Sequence, residues 1–191
     1  SKKISKIHFI QNKALELSLF LTLPASAALL IASEEIISAL FGYGSFDQVS
    51  VLNSGKALYY FALGLPAFSL IKVFSSFFFA NHDTKIPFYI SLFSVLINIV
   101  ISISYFNEIG FIIIPIATTI SSWFNAILLF AFLKNRDLFS FNKIFLVRFV
   151  KIIVASLLMA IFFNFLITYF KYELAYNQNI KSFYLILSVI L

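Results

Sequence analysis

Ser69, Lys72 and Ser76 stand three and four residues apart in the apolar stretch FALGLPAFSLIKVFSSFFFA, residues 61–80. A helix puts all three on one face. An ammonium flanked by hydroxyls is equipped to hold an anion. The same spacing recurs downstream, first as Ser91, Ser94, Asn98 and Ser102, then as Thr118, Ser121 or Ser122, and Asn125. Upstream, Ser18, Thr22 and Ser26 follow it, and Asn164 pairs with Thr168. Two readings are open for these stripes. Small and hydroxyl side chains line helix–helix contacts in membranes and hydrogen-bond across them, or they line a substrate-filled cavity. The candidate cavity residues are Lys72, Ser69, Ser76, Asn98 and Asn125.

Lys72 lies about eight residues, or about 12 Å, from the end of its apolar run. Its stem can carry the charge toward the surface, and a lysine even at the bilayer centre costs roughly 2.5–3.5 kcal/mol on insertion scales. Snorkelling or a structural contact is one role for it, and facing an anionic substrate is the other. Its hydroxyl neighbours favour a place on an interior face over one toward lipid.

Other reactive constellations are missing. No carboxylate pair sits at helical spacing inside an apolar run, and Glu34 and Glu35 fall at a helix end where water reaches them. The chain has no cysteine, and its two histidines, His8 and His82, are far apart. No metal site, cofactor or catalytic residue is expected, and the chain reads as a non-enzyme. In ANHDTKIP, residues 80–87, Asp83 or Thr84 is placed to cap a helix with Pro87 in its first turn.

The elements that must position these residues are membrane spans. Hydrophobic residues make up 61% of the 191 and charged residues 12%, with a mean hydropathy of +0.99. A soluble chain of this length cannot bury so much apolar surface, so lipid is part of its solvent. Apolar runs cover residues 14–40, 57–80, 87–106, 110–133 and 146–170, and a partial run starts at 182. The alternating ten-residue segments of a β-barrel are missing. The expected fold is all-α: a cytoplasmic basic segment over 1–13, four transmembrane helices over 14–133, and a cytoplasmic loop with two further helices over 134–191, the last one truncated. Pro24, Pro66 and Pro115 fall inside apolar runs and are expected to kink them.

Lys and Arg fix the orientation. Lys2, Lys3, Lys6, Lys13, Lys85, Lys134, Arg136, Lys143, Arg148 and Lys151 collect on one side. Only Lys56, Lys171 and Lys181 fall on the other, among Glu34, Glu35, Asp47, Glu108 and Glu173. The first side, with the N-terminal end of the chain, is read as cytoplasmic. The net charge of +6 is spread between apolar runs and forms no single stripe, so nucleic acid is not an expected partner.

Several motifs fall in one order along the chain. Leu23-Pro24 is followed by Leu40-Phe41-Gly42 and Phe46-Asp47, then by Gly64-Leu65-Pro66-Ala67-Phe68 and Lys72-Val73. Phe79-Ala80 precedes Asp83-Thr84 and Pro87, and Gly110 opens a helix carrying Trp123-Phe124-Asn125-Ala126. Over about residues 15–140 this order resembles the MurJ (MviN) family of lipid II flippases. The last fifty residues match only in being two helices. The resemblance implies part of a fourteen-helix, MATE-like bundle of the multidrug/oligosaccharidyl-lipid/polysaccharide exporter superfamily, helices nine to fourteen. It implies transport of the undecaprenyl-pyrophosphate-linked peptidoglycan precursor, lipid II, across the bacterial inner membrane by alternating access. The implied partners are that lipid or a related lipid-linked glycan, membrane lipids and the remaining helices of a full-length protein. The arginines that hold the pyrophosphate in the family lie in helices outside this chain, and the last two helices resemble the pair whose groove takes the lipid tail. An exporter of another polyprenyl-linked oligosaccharide, or a scaffold that has lost transport, are the alternatives.

Overall fold

The computed structural model describes residues 2–176 and 181–190, with side chains described from Lys6 onward. Its elements are α1 (Lys2–Ile31), α2 (Ser33–Phe41), α3 (Gln48–Ala80), α4 (Lys85–Ile109), α5 (Ile113–Asn135), α6 (Lys143–Tyr169) and α7 (Lys181–Ile190), with a 3₁₀ turn at Gly110–Ile112. Five of the helices have 23 to 33 residues, and all five fall within stretches long and apolar enough to cross a membrane. At about 1.5 Å per residue each spans a hydrocarbon core.

Side-chain bonds give the helix directions. Ser18 meets Ser69, and Ser26 meets Ala62, so α1 and α3 are antiparallel. Asn98 meets Thr118 and Asn125 meets Ser91, which makes α4 and α5 an antiparallel hairpin folded near Gly110. Gly110 has φ +72, the left-handed region where a glycine costs least. Thr119 and Trp123 of α5 reach Tyr60 and Leu63 of α3, a near-constant offset, so α3 and α5 are parallel. At Gly64 a Cβ would stand 2.9 Å from Thr119 Oγ1, so only glycine allows this approach of α3 to α5.

The first apolar run does not form one helix. It breaks at Ala32, which begins α2 without a side-chain cap, and α2 packs on α3 at the end opposite the basic residues. Pro115 also departs from expectation. It is the third residue of α5, where a missing amide costs no helical bond. Pro24 and Pro66 do lie inside their helices.

Pro66 has no amide hydrogen to give Ala62 O, four residues back. Ser26 Oγ of α1 donates to that carbonyl at 2.6 Å. Thr119 Oγ1 donates to Tyr60 O at 2.7 Å, and Trp123 Nε1 to Leu63 O at 3.0 Å. Ser26 thus supplies the one donor that Pro66 removes, and Thr119 and Trp123 add bonds to carbonyls on either side of it.

Two apolar clusters close the bundle. At the basic end Leu15, Leu19, Phe74, Phe77, Phe78, Leu129, Leu133 and Phe145 interlock. The α5–α6 linker is held there by two buried polar residues of α1. Gln11 Nε2 donates to Leu138 O at 3.1 Å, Asn12 Nδ2 to Ser140 O at 2.8 Å, and Asn142 N to Asn12 Oδ1 at 3.1 Å. At the other end Ala32, Ala39, Phe163, Ile167, Leu174 and Leu185 pack together. Lys181, one of the few cations on that side, is buried there. Its ammonium donates to Gly42 O at 2.6 Å and Tyr176 O at 2.9 Å, and lies over the rings of Tyr43 and Tyr176.

Caps start the helices. Asp83 Oδ1 accepts from the amides of Lys85 and Ile86 and opens α4. Asp47 accepts from Ser50 N at 2.8 Å and opens α3, and the Ser50 hydroxyl and amide hold its carboxyl below the usual carboxylate range. A depressed carboxylate adds stability above its ordinary pKa and loses it as pH falls through the lowered value.

The Pro66 arrangement gives a double-mutant cycle. Ser26→Ala alone leaves Ala62 O unpaired and lowers stability in detergent by about 1 kcal/mol. In a Pro66→Ala background the restored amide takes over that carbonyl, and Ser26→Ala becomes nearly neutral by the same thermal-unfolding assay.

Candidate functional site

The proposed cavity residues fall on two surfaces. Ser69 is half-buried and bonds Ser18 of α1 through its hydroxyl, so it serves the α1–α3 seam. Lys72 and Ser76 are exposed, and Ser76 Oγ donates to Lys72 O at 2.8 Å. The Lys72 ammonium has no hydrogen-bond or carboxylate partner among the described residues. It stands on the open face of α3.

Asn98 and Asn125 belong to the α4–α5 seam. Asn98 Nδ2 donates to Thr118 Oγ1 at 3.0 Å and lies 3.5 Å from Ser121 Oγ. Thr118 Oγ1 in turn donates to Ile114 O at 2.8 Å. Asn125 is buried, and its Nδ2 donates to Ser91 Oγ at 3.4 Å while its Oδ1 has no partner. These bonds match the packing reading of the stripes, with one acceptor left over at Asn125.

A cleft of ≈ 610 Å³ separates the C-terminal turns of α3 from the first turns of α4. Ser75 and Phe79 form one wall, Pro87 and Ser91 the other, and Lys85 stands at the rim. Ser75 is three residues from Lys72 and shares its face. The open face of α3, the cleft and the Ser91–Asn125 pair are therefore contiguous. Sequence spacing singled out Ser76 over Ser75 and gave Lys85 only to the loop charge, because it could not show which side of α3 meets α4.

The loop beside the cleft is fixed by Arg136, whose Nη1 donates to Asp83 Oδ2 at 2.7 Å. A second cavity, of ≈ 320 Å³, opens between α1, α3, α5 and α6. Leu19, Leu70, Phe74, Phe130, Phe145 and Trp123 line it with no polar surface, so it suits hydrocarbon. Among the described residues no cluster of His, Cys, Asp or Glu can hold a metal ion.

Long apolar helices joined by polar seams and interrupted at prolines define a polytopic helical membrane protein. A family model described as lipid II flippase MurJ matches residues 1–185, and the chain belongs to that family. Among its relatives, a protein of Rhizobium meliloti named "Probable lipid II flippase MurJ" is 40% identical over 151 residues. The match covers 79% of this chain and 28% of that protein. One of the same name from Rickettsia prowazekii is 33% identical over 178 residues, covering 93% of this chain and 35% of the relative. A solved structure of lipid II flippase MurJ in an inward closed conformation superposes with a TM-score of 0.77 at 24% identity, over 97% of this chain and 37% of that one. The chain thus spans about a third of the length of these proteins.

The isolation of the Lys72 ammonium predicts a specific result. Lys72→Gln changes the unfolding free energy by less than about 0.5 kcal/mol, the range of surface changes that break no contact, as read by thermal melting of the full-length protein in detergent. A larger loss would show that Lys72 has a structural partner.

Proposed function

We propose that this chain is the C-terminal part of a lipid II flippase of the bacterial inner membrane. In this reading the full-length protein moves the lipid-linked peptidoglycan precursor across the bilayer by alternating access, and the N-terminal end of the chain faces the cytoplasm. The single observation that carries it is the family match over residues 1–185. The positive-inside distribution of Lys and Arg supports the orientation. The open face of α3 supports a role in handling an anion. A cation near the basic mouth of a low-dielectric cavity raises the local concentration of a negative headgroup, and Lys72 is a cation without a counter-ion among the described residues. The apolar cavity beside α6 is of a kind that suits a polyprenyl tail. Nothing in this reading needs catalytic chemistry or a cofactor.

Complementation tests it. The full-length gene, expressed in a bacterium depleted of its own lipid II flippase, restores growth and surface exposure of lipid II. Failure despite good membrane expression would assign the protein to another lipid-linked cargo or to a non-transporting role. In the same assay Lys72→Gln lowers the flipping rate by about fivefold, the worth of one cation beside an anionic headgroup. Unchanged transport would remove Lys72 from the site.

A further inference from the structure

A groove of ≈ 520 Å³ runs between α1 and α6 at the basic end, on a side of the bundle that holds none of the candidate cavity residues. The two helices are parallel here, because Asn12 meets Asn142, which caps α6, and Glu16 meets Arg148. Lys13, Arg148 and Lys151 line the groove with a single carboxylate, Glu16. Glu16 is already shared. It accepts from Lys13 Nζ at 3.1 Å, and Arg148 Nη1 donates to its two oxygens at 3.1 and 3.0 Å. One carboxylate cannot neutralise three cations. Lys151 has no carboxylate partner among the described residues, and Lys13 and Arg148 each keep 43% of their side-chain surface exposed.

The charges and the apolar surface are ordered along the helices. The cations lie in the first turns of the apolar runs, the depth of lipid headgroups. The groove continues past them over Leu17 and Phe20, which are 60% and 57% exposed. A net positive rim followed by an open apolar floor has the polarity of a phospholipid standing in the bilayer. Basic pockets between transmembrane helices on the cytoplasmic side recognise lipid phosphates in this way.

We propose that the α1–α6 groove is a binding site for an anionic phospholipid, its phosphate among Lys13, Arg148 and Lys151 and an acyl chain over Leu17 and Phe20. The proposal rests on the membrane orientation given above and is independent of the cargo. A lipid held there bridges α1 to α6 where, among the described residues, an ion pair ties these parallel helices.

The test uses the full-length protein purified in a neutral detergent. It is mixed with phosphatidylglycerol or phosphatidylethanolamine of identical chains, and bound lipids are counted by native mass spectrometry. Phosphatidylglycerol is retained in preference. Lys151→Gln, which leaves both Glu16 ion pairs in place, weakens its retention about fivefold without moving the melting temperature. Arg148→Gln combined with Lys151→Gln weakens it further. Equal retention of the two lipids, or unchanged retention by Lys151→Gln, would overturn the site. Displacement by millimolar inorganic phosphate would also overturn it, since that result describes a free-anion site with no use for the acyl chain. Transport is scored separately by growth, so failure here leaves the flippase reading as it was.

Discussion

Ala62 O is the carbonyl around which the bundle is organised. Hydrocarbon offers no donor, so the carbonyl that a mid-helix proline leaves free is costly unless a neighbour supplies one. Pro66 creates that demand in α3, and Ser26 of α1 meets it at 2.6 Å. Thr119 and Trp123 of α5 bond carbonyls on either side of Ala62. Both partners of α3 are thereby fixed in register at one level of the membrane. The approach is close because Gly64 has no side chain to hold α5 away.

From that level the packing divides by chemistry. The middle of the bundle is tied by hydroxyl and amide seams, Ser18 with Ser69 and Asn98 with Thr118. Between helices in lipid there is no hydrophobic gain to collect, so such bonds and tight packing carry the association. The ends are different. At the basic end, aromatic and leucine side chains are roofed by a linker that Gln11 and Asn12 bond to α1. At the other, Lys181 holds the segments around Gly42 and Tyr176 together. A buried ammonium is acceptable there because two carbonyls and two aromatic faces surround it.

The helical, membrane-spanning fold was legible in apolar run length and loop charge, since bilayer thickness and the positive-inside bias act on composition alone. The order of motifs carried the family. The break at Ala32 was not legible, because LLIASEE is helical by propensity and α2 separates only through its packing on α3. Gln11 and Asn12 fall in the stretch read as a cytoplasmic basic segment, and in the sequence Lys181 counts only for its charge. Each bonds a carbonyl more than a hundred residues away, Leu138, Ser140 and Gly42 in turn, which local pattern cannot supply. For the candidate site, spacing singled out Lys72 and the two asparagines for attention, but not that Lys72 stands on open surface while Asn98 and Asn125 bond across a seam. That distinction is set by which helix lies opposite.

The hairpin of α4 and α5 has a consequence for how the protein enters its membrane. Residues 85–135 form one helical stretch of 51 residues, reversed at Gly110. Its two asparagines find their partners inside the same hairpin, Asn98 with Thr118 and Asn125 with Ser91. Neither half pairs the Nδ2 groups of these amides by itself, whereas the hairpin pairs both with no side chain from the rest of the chain, Asn125 Oδ1 staying without a partner. The two helices therefore favour leaving the translocation machinery together, as one unit already matched to lipid, and docking on α3 afterwards.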